Sequence, residues 1–146
     1  MTPNNKVLVL DDEPHLLDWL REYLENKGFI VKSVTNVTEA IAALDDTSFR
    51  LLVLDLNVPI AVGNDADEVL LYKNFPGLSV ADYARNKKGY RGRQVIVYSV
   101  HDHEEVRTVV DRISVTYCLK GRPRKFKEEL DAVLSFDPSK AANKVE

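Results

Sequence analysis

Short apolar segments alternate along the chain with segments whose apolar residues have helical spacing. The central segment, Leu51–Asp55, places four apolar residues in a row before its aspartate. A continuous short apolar run of this kind is typical of a parallel strand that is covered on both faces. On the same grounds the sequence predicts five strands, at Lys6–Leu10, Phe29–Val34, Leu51–Asp55, Gln94–Tyr98 and Val115–Leu119.

Helix signals fill the intervals between these strands. Pro14 suits the first turn of a helix, and Gly28 suits the position just beyond its end. Asn36 followed three residues later by Glu39 has the spacing of a capping box, which predicts a helix through Leu44. The other predicted helices are Leu78–Asn86, Glu104–Ile113 and Pro123–Phe136.

Strands that alternate with helices predict an α/β fold with a doubly wound parallel sheet. A chain of 146 residues is of the size of one domain. We expect this domain to occupy residues 1–136, and residues 137–146 to form a polar tail. The segment 60–77 exceeds the usual length of a connection at a strand end, about two to six residues, so it is interpreted as an extended loop insertion.

Composition and charge exclude several classes of partner. The apolar fraction of 45% is ordinary for a globular protein, and the net charge of −3 predicts no dominant attraction to nucleic acid or to anionic membranes. No apolar run reaches the roughly 20 residues of a membrane span, and Met1–Lys6 lacks the order of a signal peptide. The single cysteine, Cys118, lies in an apolar segment and is expected to be a core residue in a reducing cytoplasm.

Polar residues that could take part in catalysis or binding lie at the ends of the predicted strands. Asp11 and Asp12 follow the first strand, Asp55 ends the third, Ser99 follows the fourth and Lys120 the fifth. Right-handed crossovers bring these ends to one edge of the sheet, where ligands bind in open parallel sheets. Clustered carboxylates repel one another unless a cation offsets them or they take up protons. Oxygen ligands favour Mg²⁺, and a lysine with a hydroxyl suits phosphoryl oxygens.

This arrangement favours a carboxylate nucleophile that forms an aspartyl-phosphate. Asp55 would attack phosphorus, the two neighbouring aspartates would hold Mg²⁺, and Lys120 would offset phosphoryl charge. Each residue also has a plain structural interpretation. The Asp11–Asp12 pair could simply be a helix cap, and Asp55 could simply end a strand or cap a turn. Ser99 could be a turn residue, and Lys120 could be solvated.

The joint order of these residues resembles the receiver domain of bacterial two-component response regulators, in its stand-alone chemotaxis-type form. The resemblance covers Lys6–Phe136 and implies a flavodoxin-like sheet of order 2-1-3-4-5 with helices on both faces. It rests on the sequences Val-Leu-Val-Leu-Asp11-Asp12-Glu13-Pro14, Leu-Asp55-Leu-Asn57-Val-Pro59, Val-Tyr-Ser99 and Tyr117-Cys-Leu-Lys120.

The resemblance also implies a set of functions. Asp55 is expected to take a phosphoryl group from a histidine kinase or phosphotransfer protein, in a self-catalysed transfer followed by slow autodephosphorylation. Asp11, Asp12, Asp55 and the Asn57 backbone carbonyl would surround Mg²⁺. Ser99 and Tyr117 would form a switch pair that changes the binding of an unknown downstream protein.

Three features depart from the family pattern. Gly121 stands where proline is usual, and Val100 follows Ser99 where a smaller residue is usual. The insertion could act as a lid or kinase-docking element, or it could simply pack its apolar residues on the domain surface. Asn57, Val100 and His101 are the positions where dephosphorylation or access would be tuned.

Three functions compete on these grounds. The first is a phosphorylatable receiver whose output passes through a partner protein, because no output segment follows Phe136 unless the chain is a fragment. The second is an unphosphorylated pseudo-receiver that acts as an interaction module. The third is a small aspartate-dependent phosphatase, which Asn57 disfavours because it stands where a second acid would be needed.

Overall fold

A computed structural model describes residues 5–13, 18–59, 75–99, 104–119 and 123–135. Strands and helices alternate through these residues. The strands are β1 (Lys6–Leu10), β2 (Ile30–Val34), β3 (Leu51–Asp55), β4 (Val95–Ser99) and β5 (Thr116–Leu119). The helices are α1 (Asp18–Asn26), α2 (Val37–Asp46), α3 (Pro76–Asn86), α4 (Glu104–Ile113) and α5 (Pro123–Leu134).

The strands form one parallel sheet in the order β2-β1-β3-β4-β5, which confirms the predicted topology. β3 lies in the middle of the sheet and is buried along its whole length. In the register of the central strands Leu10 pairs with Leu54, and Asp55 pairs with Tyr98. The carboxyl ends of β1, β3 and β4 therefore lie side by side.

Helices cover both faces of the sheet, as predicted. One core cluster joins side chains of β1, β3 and β4 to α2, α3 and α4, and includes Leu54, Leu78 and Val106. The other joins the alternate side chains of the same strands to α1 and α5, and includes Val53, Leu20 and Phe126. Continuous apolar strands are required here because both faces of each central strand are buried.

The helix ends follow the predicted signals with one difference. Gly28 has φ +92°, the left-handed conformation expected just beyond a helix. The Asn36 side chain accepts a hydrogen bond from the Glu39 backbone N–H at 2.8 Å, as the capping box requires. The Glu39 carboxylate, however, accepts a hydrogen bond from the backbone N–H of Thr35 at 3.1 Å. In a capping box this second bond would come from the N–H of Asn36, so the donor is one residue earlier than predicted.

Helix α3 begins at Pro76, two residues before its predicted start at Leu78. Proline is favoured in the first helical turn because the N–H that it lacks would have no partner in the helix. Pro76 and Gly77 are therefore helical, although the predicted insertion included them. The rest of the insertion (60–74), the predicted start of the first helix and the polar tail 137–146 lie outside the described residues.

None of the described helices combines the length and the apolar character needed to cross a membrane.

Candidate functional site

Three carboxylates meet at the carboxyl edge of the sheet. Asp11 and Asp12 directly follow β1, and Asp55 ends the neighbouring strand β3. One carboxylate oxygen from each residue lies within 4.8 Å of the others. Asp11 is 1% exposed and Asp55 is 2% exposed, whereas Asp12 is open to solvent. The strand ends thus gather the acidic residues as the topology predicted.

Backbone N–H groups hold the two buried carboxylates. Asp11 Oδ1 accepts a hydrogen bond from the Glu13 N–H at 2.7 Å, and Asp55 Oδ1 accepts from the Asn57 N–H at 3.1 Å. Both are bonds to the residue two positions on, the pattern of an Asx turn. Asp55 therefore does cap a turn, but its burial beside two other acidic groups is more than a turn requires, because buried charges are costly unless they are paired.

A tyrosine hydroxyl supplies a further contact that the sequence analysis missed. Tyr98 is fully buried on β4, and its hydroxyl donates to Asp11 Oδ2 at 2.6 Å. The Leu10 carbonyl lies 3.4 Å from the same hydroxyl. Burial, and then the negative charge of Asp11, hold the pKa of Tyr98 well above its ordinary value of 10. The hydroxyl consequently keeps its proton and acts as a donor.

Strand alternation offered a signal for this contact. Tyr98 lies directly opposite Asp55 in the register, and β3 separates β4 from β1. Residues at alternate positions of a strand share a face, so Asp11, Asp55 and Tyr98 belong to the face that packs on α1 and α5. The order of the strands, combined with this alternation, would have placed the tyrosine beneath the acidic group.

Gly77, in the first turn of α3, closes the other side of the site. Its N–H donates to the Leu56 carbonyl at 3.0 Å. A Cβ added to Gly77 would lie 1.9 Å from the Asp55 carbonyl oxygen, so only glycine allows the helix to approach the end of β3 this closely. The sequence alone places Gly77 in the predicted insertion and indicates no role for it.

The predicted switch residues lie on two neighbouring strands. Ser99 ends β4 and is fully buried. Tyr117 on β5 pairs with Val97, so alternation places Ser99 and Tyr117 on the same face of the sheet. The Tyr117 ring is partly buried, and the Arg107 guanidinium lies 5.6 Å from its centroid. Their action as a switch pair stays a prediction, as does the role of the exposed Asn57.

Several predicted site residues lie outside the described residues. These are Lys120, Gly121, Val100 and His101, so their parts in transfer, access and tuning stay predictions. Cys118, by contrast, is buried in the core on the α1 and α5 side, as predicted. Burial raises the pKa of its thiol to about 11, which keeps the group protonated and unreactive near neutral pH.

The gathered carboxylates fit a magnesium ion in chemistry and in spacing. All three groups are oxygen donors, which Mg²⁺ prefers, and it usually takes one or two protein carboxylates together with water. At a ligand distance of about 2.1 Å, two oxygens on opposite sides of the ion are about 4.2 Å apart. The observed limit of 4.8 Å is close to that span, so small side-chain movements would allow coordination directly or through water.

Comparison with known proteins agrees with the fold and with the acidic edge. A model of the family described as the response regulator receiver domain matches residues 7–120. The chain belongs to this family. It is similar to the transcriptional regulatory protein ResD of Bacillus subtilis, at 38% identity over 68 residues. That match covers 47% of this chain and 27% of ResD.

Another relative and a solved structure extend the comparison. CpxR of Klebsiella pneumoniae, also a transcriptional regulatory protein, is 41% identical over 61 residues, or 42% of this chain and 26% of CpxR. The structure of the chemotaxis protein CheY4 of Vibrio cholerae shares the fold, with a TM-score of 0.68 at 18% identity. The alignment covers 89% of this chain and 98% of that one.

The matched segments span about a quarter of the length of these two curated relatives. The shared part is the receiver domain, a phosphoacceptor signalling module of two-component response regulators, and this chain is such a module. These findings favour the phosphorylatable receiver over the pseudo-receiver among the functions considered above.

Proposed function

We propose that Asp55 is the phosphoacceptor of this receiver, and that Asp11 and Asp12 hold the Mg²⁺ that the transfer requires. The supporting observation is the meeting of three carboxylates within 4.8 Å at the ends of the two central strands, with two of them buried. Placing several negative charges in a buried edge is costly unless a cation is bound there. Asp55 is chosen as the nucleophile because it is buried and ends the central strand of the sheet.

The transfer forms one bond and breaks another. A carboxylate oxygen of Asp55 attacks the phosphorus of a phosphohistidine on a histidine kinase or phosphotransfer protein. The new O–P bond forms as the P–N bond breaks, and the electron pair passes to the imidazole nitrogen of the donor. Bound Mg²⁺ would offset the charge of the phosphoryl oxygens, and Lys120, the next residue in the sequence after β5, is assigned the same task. The Asn57 N–H bond to Oδ1 fixes the orientation of the nucleophile.

Phosphorylation would change the binding of a downstream protein through hydrogen bonds to the new phosphoryl oxygens. In this proposal Ser99 donates a hydrogen bond to them, Tyr117 turns inward behind it, and a downstream protein binds the altered surface. Moving a population from about 1:99 to 99:1 needs roughly 5.5 kcal/mol of differential binding. Two charge-assisted hydrogen bonds at roughly 1.5–3 kcal/mol each approach that figure. The phosphoryl group is then lost slowly by self-catalysed hydrolysis.

Intact-mass measurement tests the proposal. The protein is incubated with acetyl phosphate, with and without Mg²⁺, and the mass is followed. We expect a gain of one phosphoryl group that requires Mg²⁺ and is absent in Asp55→Ala. Asp111→Ala is the matched control, because Asp111 is an exposed aspartate on α4, away from the acidic edge, and this variant is expected to gain the group normally.

The other outcomes separate the competing functions. No gain in the unmodified protein under any condition would refute the phosphoacceptor role and leave a pseudo-receiver. Phosphate release through many turnovers would indicate a phosphatase. A gain that persists in Asp55→Ala would place the phosphoryl group on another residue.

A further inference from the structure

We propose that Tyr98 is a positioning residue for the magnesium site, which it serves by fixing the carboxylate of Asp11 through its hydroxyl. This inference rests on the proposed function, because it assigns Asp11 to the metal. The supporting observation is the 2.6 Å bond from the Tyr98 hydroxyl to Asp11 Oδ2, made by two side chains that are both buried.

The tyrosine completes a two-point attachment of Asp11. Oδ1 accepts the Glu13 N–H and Oδ2 accepts the Tyr98 hydroxyl, so each oxygen has its own donor. A carboxylate held at both oxygens cannot rotate about its Cβ–Cγ bond without breaking a charge-assisted bond. A carboxylate oxygen has two lone pairs, so it can accept a hydrogen bond and still bind a metal ion, and the orientation of the group is then set before the ion arrives.

The position of Tyr98 in the fold explains why a tyrosine is needed. The carboxyl end of β4 is two strand spacings from β1, about 9.6 Å, because β3 lies between them. A hydroxyl on a serine or threonine of β4 would not cross that distance, whereas the Tyr98 hydroxyl spans β3 and reaches Asp11. The ring is held on the way by Phe126, at 5.7 Å between centroids.

Hydrogen bonds of this kind have a known effect on metal sites. Partners of a ligating carboxylate orient it, and their removal typically costs about 10–100-fold in metal affinity or activity. A hydroxyl that only supported the fold would instead change stability and leave metal affinity alone. Metal affinity and stability therefore distinguish the two roles.

The experiment compares Tyr98→Phe with Tyr90→Phe. Tyr90 is the matched control because it is also buried, and its hydroxyl accepts the Phe49 N–H at 2.8 Å away from the acidic edge. Calorimetric titration with MgCl₂ alone gives the affinity, and phosphorylation by acetyl phosphate is measured across Mg²⁺ concentrations. Tyr98→Phe is expected to lower Mg²⁺ affinity about tenfold. Its phosphorylation rate should recover at saturating Mg²⁺, while Tyr90→Phe should bind Mg²⁺ like the unmodified protein.

A second measurement uses the unmodified protein and so does not depend on the variant folding. The hydroxyl proton of Tyr98, held by Asp11, should give a slowly exchanging, downfield ¹H NMR resonance with a nuclear Overhauser contact to the protons of its own ring. Addition of MgCl₂ should shift this resonance with the same midpoint as the calorimetric titration, because the ion and the hydroxyl share one carboxylate.

The inference is overturned if Tyr98→Phe binds Mg²⁺ like the unmodified protein, or if Tyr90→Phe loses the same affinity. The inference is equally overturned if the hydroxyl resonance is absent, or if Mg²⁺ does not change its chemical shift. Unmodified protein that neither binds Mg²⁺ nor gains a phosphoryl group would refute the proposed function. If it does both and Tyr98→Phe is unaffected, only the positioning role fails.

Discussion

Gly77→Ala tests whether the close approach of α3 to the end of β3 is required. Alanine is ordinarily better than glycine within a helix by about 1 kcal/mol, so the substitution would stabilise the protein if space allowed. Here the new Cβ would lie 1.9 Å from the Asp55 carbonyl oxygen and 2.8 Å from Leu56 Cα. Both atoms belong to backbone, which cannot move aside as a flexible side chain would.

The size of the effect follows from that distance. Ordinary contact begins at 3.4 Å, so α3 must withdraw by about 1.5 Å, which breaks the 3.0 Å bond from the Gly77 N–H to the Leu56 carbonyl. Overpacking costs about 1–3 kcal/mol and the lost hydrogen bond about 0.5–1.5 kcal/mol. Less the roughly 1 kcal/mol helical advantage of alanine, the net loss should be about 0.5–3.5 kcal/mol, and Tm should fall by about 1–14 °C.

Gly92→Ala is the matched control. Its Cβ would lie 2.0 Å from the Ser114 carbonyl oxygen, at the amino end of β4 and far from the acidic edge. Both variants should lose comparable stability in urea or thermal unfolding. At a temperature where both are folded, only Gly77→Ala should phosphorylate slowly with acetyl phosphate, because only this substitution moves a helix away from the end of β3, where Asp55 lies. A Gly77→Ala protein as stable and as active as the original would refute the reasoning, and so would equal loss of phosphorylation in Gly92→Ala.

Further predictions concern the cap of α2 and the core thiol. Asn36→Ala should lower the free energy of unfolding by about 1 kcal/mol, while Asn36→Ser, which keeps an acceptor for the Glu39 N–H, should lose much less in the same urea titration. Cys118 should resist iodoacetamide at pH 8 in the native protein and react after unfolding; rapid native labelling would contradict its burial. Because burial raises the pKa of this thiol from 9.0 to about 11, its contribution to stability should be complete below pH 9 and be lost as the pH rises towards 11.

The strands and the acidic edge were predictable because both depend on local sequence. Continuous apolar runs identify buried parallel strands, and in a parallel sheet the residue after each run lies at a common edge. Local sequence therefore places Asp11 and Asp55 at the same edge, and the structure brings them within reach of one ion. Helix boundaries were less predictable, because Pro76 and Gly77 can begin a helix or form part of a loop.

Contacts between distant segments were not predictable from local patterns. Tyr98 was seen only as the end of a buried strand, because nothing near it in sequence shows that its hydroxyl extends past β3 to Asp11. Gly77 was assigned to the insertion for the same reason. The need for glycine arises from the Asp55 carbonyl, 22 positions earlier in the chain. The Glu39 bond to Thr35 shows that even a capping motif can pair one residue away from its usual partner.

The two contacts that sequence analysis missed support the site from opposite faces of the sheet. Gly77 belongs to α3, which packs in the cluster with α2 and α4, while Tyr98 packs with Phe126 of α5 in the other cluster. A buried group of like charges tends to spread, and backbone on one side with a hydroxyl on the other opposes that movement. Substitutions that loosen either core should therefore weaken Mg²⁺ binding more than equal losses of stability at the amino end of the strands. The geometry of the acidic edge depends on packing across the whole sheet, although only three side chains are expected to form the metal site.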